Sequence, residues 1–257
     1  MILWFFNCGL LPEVPEDSSA INNLDPERTD SPYPVALLVQ MYKAKRSKMH
    51  NLLALSKFEV YANNTPGLVI DGLCADLGDA LQTKFEREGG SGLYPPPNIY
   101  GLLSAYLINT GSVSSVSKHR IVQYLFLDIA SILSGDKWSE LIESLIKFPS
   151  AFSVPPSLIK LTQAFWLLDH EDFEEALKML LDPLISNADI QDWQHRSILL
   201  AFLTQDQPKL ALKYSRMRKP PQKDLKDIQL HVSSRKLLEY CRKILCGKIF
   251  LGEKRKR

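Results

Sequence analysis

Apolar residues in this chain recur with the 3.6-residue period of an α-helix, and no stretch alternates apolar and polar β-branched residues between hairpin turns. Val35, Leu38, Val39 and Tyr42 fall at i, i+3, i+4 and i+7. Ile70, Leu73, Cys74, Leu77 and Leu81 repeat that stripe, and their spacing predicts one helix running toward Gly89-Gly90. Between these two, Met49 to Phe58 reads as a separate, shorter helix, and Asn63-Asn64-Thr65-Pro66-Gly67 as a turn. Ile99, Leu102, Leu103, Tyr106 and Leu107 supply a further stripe, opened by Pro97 at a position where a missing N–H costs nothing. The segments Ile121 to Leu133 and Leu158 to Leu168 are apolar around more of their circumference, so neighbours must cover them on more than one side. These are the expected central helices of an all-α fold.

An internal echo refines the architecture. Trp166-Leu167-Leu168-Asp169 leads through a charged turn to Ala176-Leu177-Lys178, and Ala201-Phe202-Leu203-Thr204 leads through Gln205 to Pro208 to Ala211-Leu212-Lys213. The two copies lie 35 residues apart, close to the period of helix-turn-helix repeats. The expected body is an irregular α-solenoid-like stack of helical hairpins.

Composition divides the chain. Residues 1–11 form an apolar stub carrying Trp4, Phe5 and Phe6, which reads as the tail of a truncated helix. Residues 12–34 hold five prolines and six acids against the single Arg28, an exposed acidic loop that cannot run as a helix. Residues 35–232 form the helical domain, and residues 233–257 a last helix with a basic tail. Of the 257 residues 45% are hydrophobic and 23% charged, which excludes a disordered or collagen-like chain. A net charge of +2 excludes nucleic-acid binding by overall charge, so any such patch is local. Cys8, Cys74, Cys241 and Cys246 are too scattered for a disulfide framework and point to a reducing compartment. No apolar run reaches the roughly 18–20 residues of a membrane span, since Gln123 and Asp128 cut the longest one.

The residues that could carry chemistry read as structural. His170, in Asp169-His170-Glu171-Asp172, lacks the spacing that puts two metal ligands on one helical face, and the acids suit the cap of the following helix. A metal-dependent hydrolase around His170 would need bound zinc. No cysteine pair has ligand spacing, and Cys241 lies on a core stripe with Leu238 and Leu245. Gly89-Gly90-Ser91-Gly92 is followed by Leu-Tyr-Pro-Pro-Pro rather than by a helix bearing Lys and Ser, so it reads as a linker and not as a phosphate cradle. Nothing in the sequence argues for catalysis, a cofactor or a small-molecule substrate. Phe148-Pro149-Ser150-Ala151-Phe152 and Phe165-Trp166 suit either core packing or a partner surface. The charge-biased end, Lys254-Arg255-Lys256-Arg257, suits recognition by import receptors, contact with chromatin phosphates, or a solvated tail.

Several strings, in one order, carry a resemblance. They are Trp4-Phe-Phe-Asn7 with Gly9-Leu-Leu-Pro-Glu13, Ile70-Asp-Gly72, the Gly-Gly-x-Gly-x-Tyr-Pro-Pro run at 89–96, Phe148-Pro-x-Ala-Phe152, Phe165-Trp-Leu-Leu-Asp-His170 with Asp172, and Trp193-Gln-His195. Over residues 1 to about 230 the chain resembles the central helical region of the ELYS family of nuclear pore assembly nucleoporins. Ser233 to Arg257 departs from that pattern. The resemblance implies a non-catalytic scaffold at the nuclear envelope, docking to the Y-shaped outer-ring nucleoporins. The 35-residue echo by itself fits equally a generic helical-repeat adaptor unrelated to pores.

Overall fold

A computed structural model describes residues 34–55, 66–87, 93–98, 115–133 and 139–220. Every regular element among them is helical. In chain order the α-helices are α1 (Val35–Leu55), α2 (Val69–Ala75), α3 (Asp79–Arg87), α4 (Ser115–Ile132), α5 (Ser139–Ala151), α6 (Pro156–Asp169), α7 (Phe173–Leu180), α8 (Asp192–Thr204) and α9 (Pro208–Arg218). A single 3₁₀ turn, Asn187–Asp189, joins α7 to α8.

The two segments expected at the centre are there. α6 packs against α7, α4, α2 and α8, and α4 packs in addition against α2 and α5. Ile121, Val122, Tyr124, Leu125, Phe126 and Ile129 of α4 meet Leu158, Leu161, Ala164, Phe165 and Leu168 of α6 in one continuous apolar core. The aromatic string on α5 belongs to that core as well. Phe148 is fully buried, with its ring 5.1 Å from that of Phe126 and 4.8 Å from that of Phe152.

The 35-residue echo corresponds to two helical hairpins, α6–α7 and α8–α9, closed in the same way. Glu171 and Asp206 both take left-handed backbone angles, with φ of 65° and 57°. The N–H of Asp172 donates to the carbonyl of Leu167, and that of Gln207 to the carbonyl of Phe202. This is the six-residue closure that satisfies the orphan carbonyls at a helix end. α5 ends likewise, with Ser153 at φ 49° and the N–H of Val154 donating to Pro149.

Four readings of the sequence need correction. Met49 does not begin a new helix, because α1 runs unbroken from Val35 to Leu55. The Lys43–Lys48 stretch interrupts the apolar stripe, but it holds good helix formers and neither glycine nor proline. On α1 the stripe itself is misplaced at Val39, which is exposed while Leu38 and Tyr42 are buried. The expected helix over 70–89 is two helices, α2 and α3, divided at Gly78, whose φ of 83° suits glycine alone. All five stripe residues are nonetheless buried. The linker reading of 89–97 fails in its described part. Tyr94, Pro95 and Pro96 are buried, Tyr94 completely, and the Tyr94–Pro95 peptide is cis. A tyrosine between a glycine run and a proline run looks like loop matter until its hydroxyl finds a buried acceptor. The stripe at 99–107, residues 1–33, Cys241, Cys246 and the 233–257 segment lie outside the described residues.

Candidate functional site

The chemistry of this chain is turned inward. Asp128, in the middle of α4, has no exposed surface. Its Oδ2 accepts hydrogen bonds from the hydroxyls of Tyr42, at 2.8 Å, and Tyr94, while its Oδ1 accepts from the Trp166 indole at 2.7 Å. A buried carboxylate is tolerable only with such a set of donors. His170 stacks on Trp166 with ring centroids 4.0 Å apart. Its Nδ1 donates to the Trp166 carbonyl at 2.8 Å, which leaves Nε2 3.2 Å from Asp128 Oδ1.

A second buried carboxylate, Asp169, lies at the end of α6. α2 begins at Leu68 without a side-chain cap of its own. Asp169 supplies the cap from elsewhere in the chain. Its two oxygens accept the N–H groups of Val69 and Ile70 at 2.9 and 3.0 Å, and Oδ2 also accepts the Tyr124 hydroxyl at 2.8 Å. Negative charge at a helix start is favourable because the first N–H groups have no partners in the helix. Burial still raises the Asp169 carboxyl to about 6, against the lowering effect of these three donors. Burial, reinforced by the nearby aspartates, also pushes the Tyr42 and Tyr124 hydroxyls well above the ordinary tyrosine value.

α1 is tied to this centre through its cations. Lys45 donates to the Asp169 carbonyl at 2.8 Å, and burial lowers its ammonium below the ordinary lysine value. Arg46 makes a bidentate pair with Asp71 of α2 and donates to the Tyr94 carbonyl. A shallow cleft beside Lys45, lined also by Met49, Leu68, Phe173 and Ala201, has space for little more than a water-sized molecule. Among the described residues, no group of three or more His, Cys, Asp or Glu side chains is arranged to hold a metal ion. Burial raises the Cys74 thiol far above its usual range, which suits a core residue and not a nucleophile. No described helix is long and apolar enough to cross a membrane.

Asp172 caps α7 as expected, its side chain accepting the Glu175 N–H. The roles of Asp169 and His170 differ from that local reading, since both face the core. Sequence reasoning missed Asp128, Tyr42, Tyr94 and Tyr124. The one signal available was an aspartate in the middle of the most apolar helix. Lys254, Arg255, Lys256 and Arg257 lie outside the described residues.

Four of the motif strings converge in space. Asp71 belongs to the Ile70-Asp71-Gly72 string, Tyr94 to the tyrosine–proline string, and Trp166, Asp169 and His170 to the string on α6; all five enter the network above. Gly72 faces the fourth string, because a Cβ placed there would lie 2.3 Å from the Trp193 ring. A family model described as ELYS, nuclear pore complex assembly, matches residues 67–246. The chain belongs to the ELYS family. Protein ELYS of Xenopus laevis and protein ELYS of Homo sapiens are each 36% identical to it over 234 residues. That alignment covers 91% of this chain and 9% of each relative, so the chain spans a small part of their length. The ELYS match also runs past Leu230, where the pattern read from the sequence stopped.

Proposed function

We propose that this chain is a docking body of nuclear pore assembly, which binds outer-ring nucleoporins at the nuclear envelope without catalysing a reaction. The observation that carries the reading is membership of a family described by nuclear pore complex assembly. The inward direction of the polar network supports it. Asp128, Asp169 and their tyrosines are consumed in joining α1, α2, α4 and α6, so what the fold offers to others is its helical surface. The 35–232 unit would be the docking domain, and its hairpins would continue as an irregular α-solenoid-like stack. Lys254 to Arg257 would add a contact for import receptors or chromatin phosphates, one that weakens steeply with salt.

Co-elution of the purified chain with a reconstituted outer-ring complex on a sizing column tests the reading. A shared peak at micromolar concentration supports it. Separate peaks, from a chain shown to be helical by circular dichroism, reject docking by this body. The 35-residue hairpin repeat then favours the second reading, a helical-repeat adaptor with other partners.

A further inference from the structure

α9, like α1, is basic throughout, but its cations are placed differently from those of α1, where Lys45, Arg46 and Lys48 are engaged by the end of α6, α2 and Glu171. α9 carries Lys209, Lys213, Arg216 and Arg218, with Lys219 just beyond its end, and no acidic residue. One of these cations is structural. Arg218 is buried, and its guanidinium donates to the carbonyls of Leu180 at 2.7 Å, Ile185 at 2.6 Å and Asp182 at 3.0 Å. In return Asn187 donates to the Arg218 carbonyl at 2.9 Å. These four bonds fix the last turn of α9 against the end of α7 and the loop that follows it.

The remaining cations face outward. Lys209, Lys213 and Arg216 fall at i, i+4 and i+7, on one face of the helix, and all three are exposed, as is Lys219. None forms an ion pair with a described carboxylate, whereas Lys48, Lys147, Lys160 and Lys178 on other helices each have one. Beside the stripe, Met217 is 65% exposed. The fold therefore holds rigid a helix face that combines unpaired cations with a bare apolar side chain, Met217.

We infer that this α9 face is a docking site for an acidic, extended protein segment that carries an apolar side chain among its carboxylates. Three cations along about two helical turns span roughly 10 Å at 1.5 Å per residue. In an extended chain, side chains on one side recur about every 6.6 Å, close to the roughly 6 Å that separates Lys209 from Lys213 along the helix axis. Met217 decides between acidic peptide and nucleic acid, because a phosphate backbone gains little from covering a thioether. The inference goes beyond the pore assembly reading and does not depend on which nucleoporin the chain binds.

The test uses the full chain and no nucleoporin. Fluorescence anisotropy is measured with a labelled ten-residue peptide of Glu and Asp around a central Leu, with the same peptide carrying Ser for Leu, and with a labelled 20-base-pair DNA duplex. The expected result is micromolar binding of the Leu peptide, weakened at least tenfold by K209E/K213E/R216E and about threefold by Met217→Ser or by the Leu-to-Ser peptide. Circular dichroism of each variant, expected unchanged at these exposed positions, separates lost binding from lost fold. Three outcomes overturn the inference: absence of peptide binding, binding insensitive to the triple substitution, or DNA binding that exceeds peptide binding and ignores Met217→Ser.

Discussion

The hairpins α6–α7 and α8–α9 share a backbone and differ in what they do with it. At the position before the turn, the first has Asp169 and the second Thr204, 35 residues later. Thr204 turns its hydroxyl back onto its own helix, to the carbonyls of Leu200 and Ala201. Asp169 reaches out of its helix instead and caps α2. Turn geometry is thus a local property, repeated wherever a left-handed residue closes a helix. Long-range locking depends on one side chain at an equivalent position. Both hairpins meet on α2, the first through a carboxylate and the second through the Trp193 indole.

The sharpest way to break the comparison is to give the first hairpin the residue of the second. Asp169→Thr leaves the Val69 and Ile70 N–H groups and the Tyr124 hydroxyl without their shared acceptor, a loss of about 4 kcal/mol by urea unfolding at pH 4. The cost depends on pH in a definite direction. The folded carboxyl sits near 6, above its unfolded value, so the folded state binds the extra proton between about pH 4 and 6. Stability from this group is present at low pH and is lost as pH rises through 6. Threonine does not titrate, so the gap between wild type and variant should shrink by about 2 kcal/mol between pH 4 and pH 7. A gap that is constant with pH would mean that the carboxyl titrates alike in the folded and unfolded chain, and a gap that widens would mean that the folded carboxylate stays ionised.

This division explains what could be read from the sequence. Helical class, the central positions of α4 and α6, and the hairpin repeat follow from spacing within a dozen residues, and spacing is visible in one dimension. The network does not. Asp128 interrupts an apolar run, and its partners Tyr42 and Tyr94 lie 86 and 34 residues away. Asp169 caps a helix that begins 100 residues earlier, so the turn in which it sits says nothing of its task. Tyr94, between glycine and proline neighbours, reads as part of a linker for the same reason. The family strings mark Tyr94 and Asp169 by resemblance alone and pass over Asp128 and Tyr42, and the network that joins the four is a matter of geometry.

A smaller effect tests the second contact on α2. A methyl group at position 72 would fall 2.3 Å from the Trp193 ring and 2.9 Å from Pro66. Gly72→Ala should therefore force α2 and α8 apart, at a cost of about 2–3 kcal/mol in denaturant unfolding. The general advantage of alanine over glycine in a helix, about 1 kcal/mol, acts in the opposite direction. A variant as stable as wild type would show that the indole can swing aside, and the second hairpin would then be the looser of the two on α2.

The smallest effect concerns the shared turn itself. Ser153, Glu171 and Asp206 hold left-handed angles that L-residues adopt at a cost of about 1–2 kcal/mol, whereas glycine adopts them freely but loses more backbone entropy on folding. For Ser153→Gly the difference favours the variant by about 0.5 kcal/mol, read as a small rise in the unfolding midpoint. Glu171→Gly gains the same relief and gives up the pairing of Glu171 with Lys48 of α1. Both partners of that pair are exposed, so its contribution lies at about 0–1 kcal/mol. The two glycine variants together therefore measure whether this outer contact adds to the hold of the half-buried cations on α1. Equal midpoint shifts would assign the hold to Lys45 and Arg46 alone, and a smaller or reversed shift for Glu171→Gly would give Lys48 a share in it.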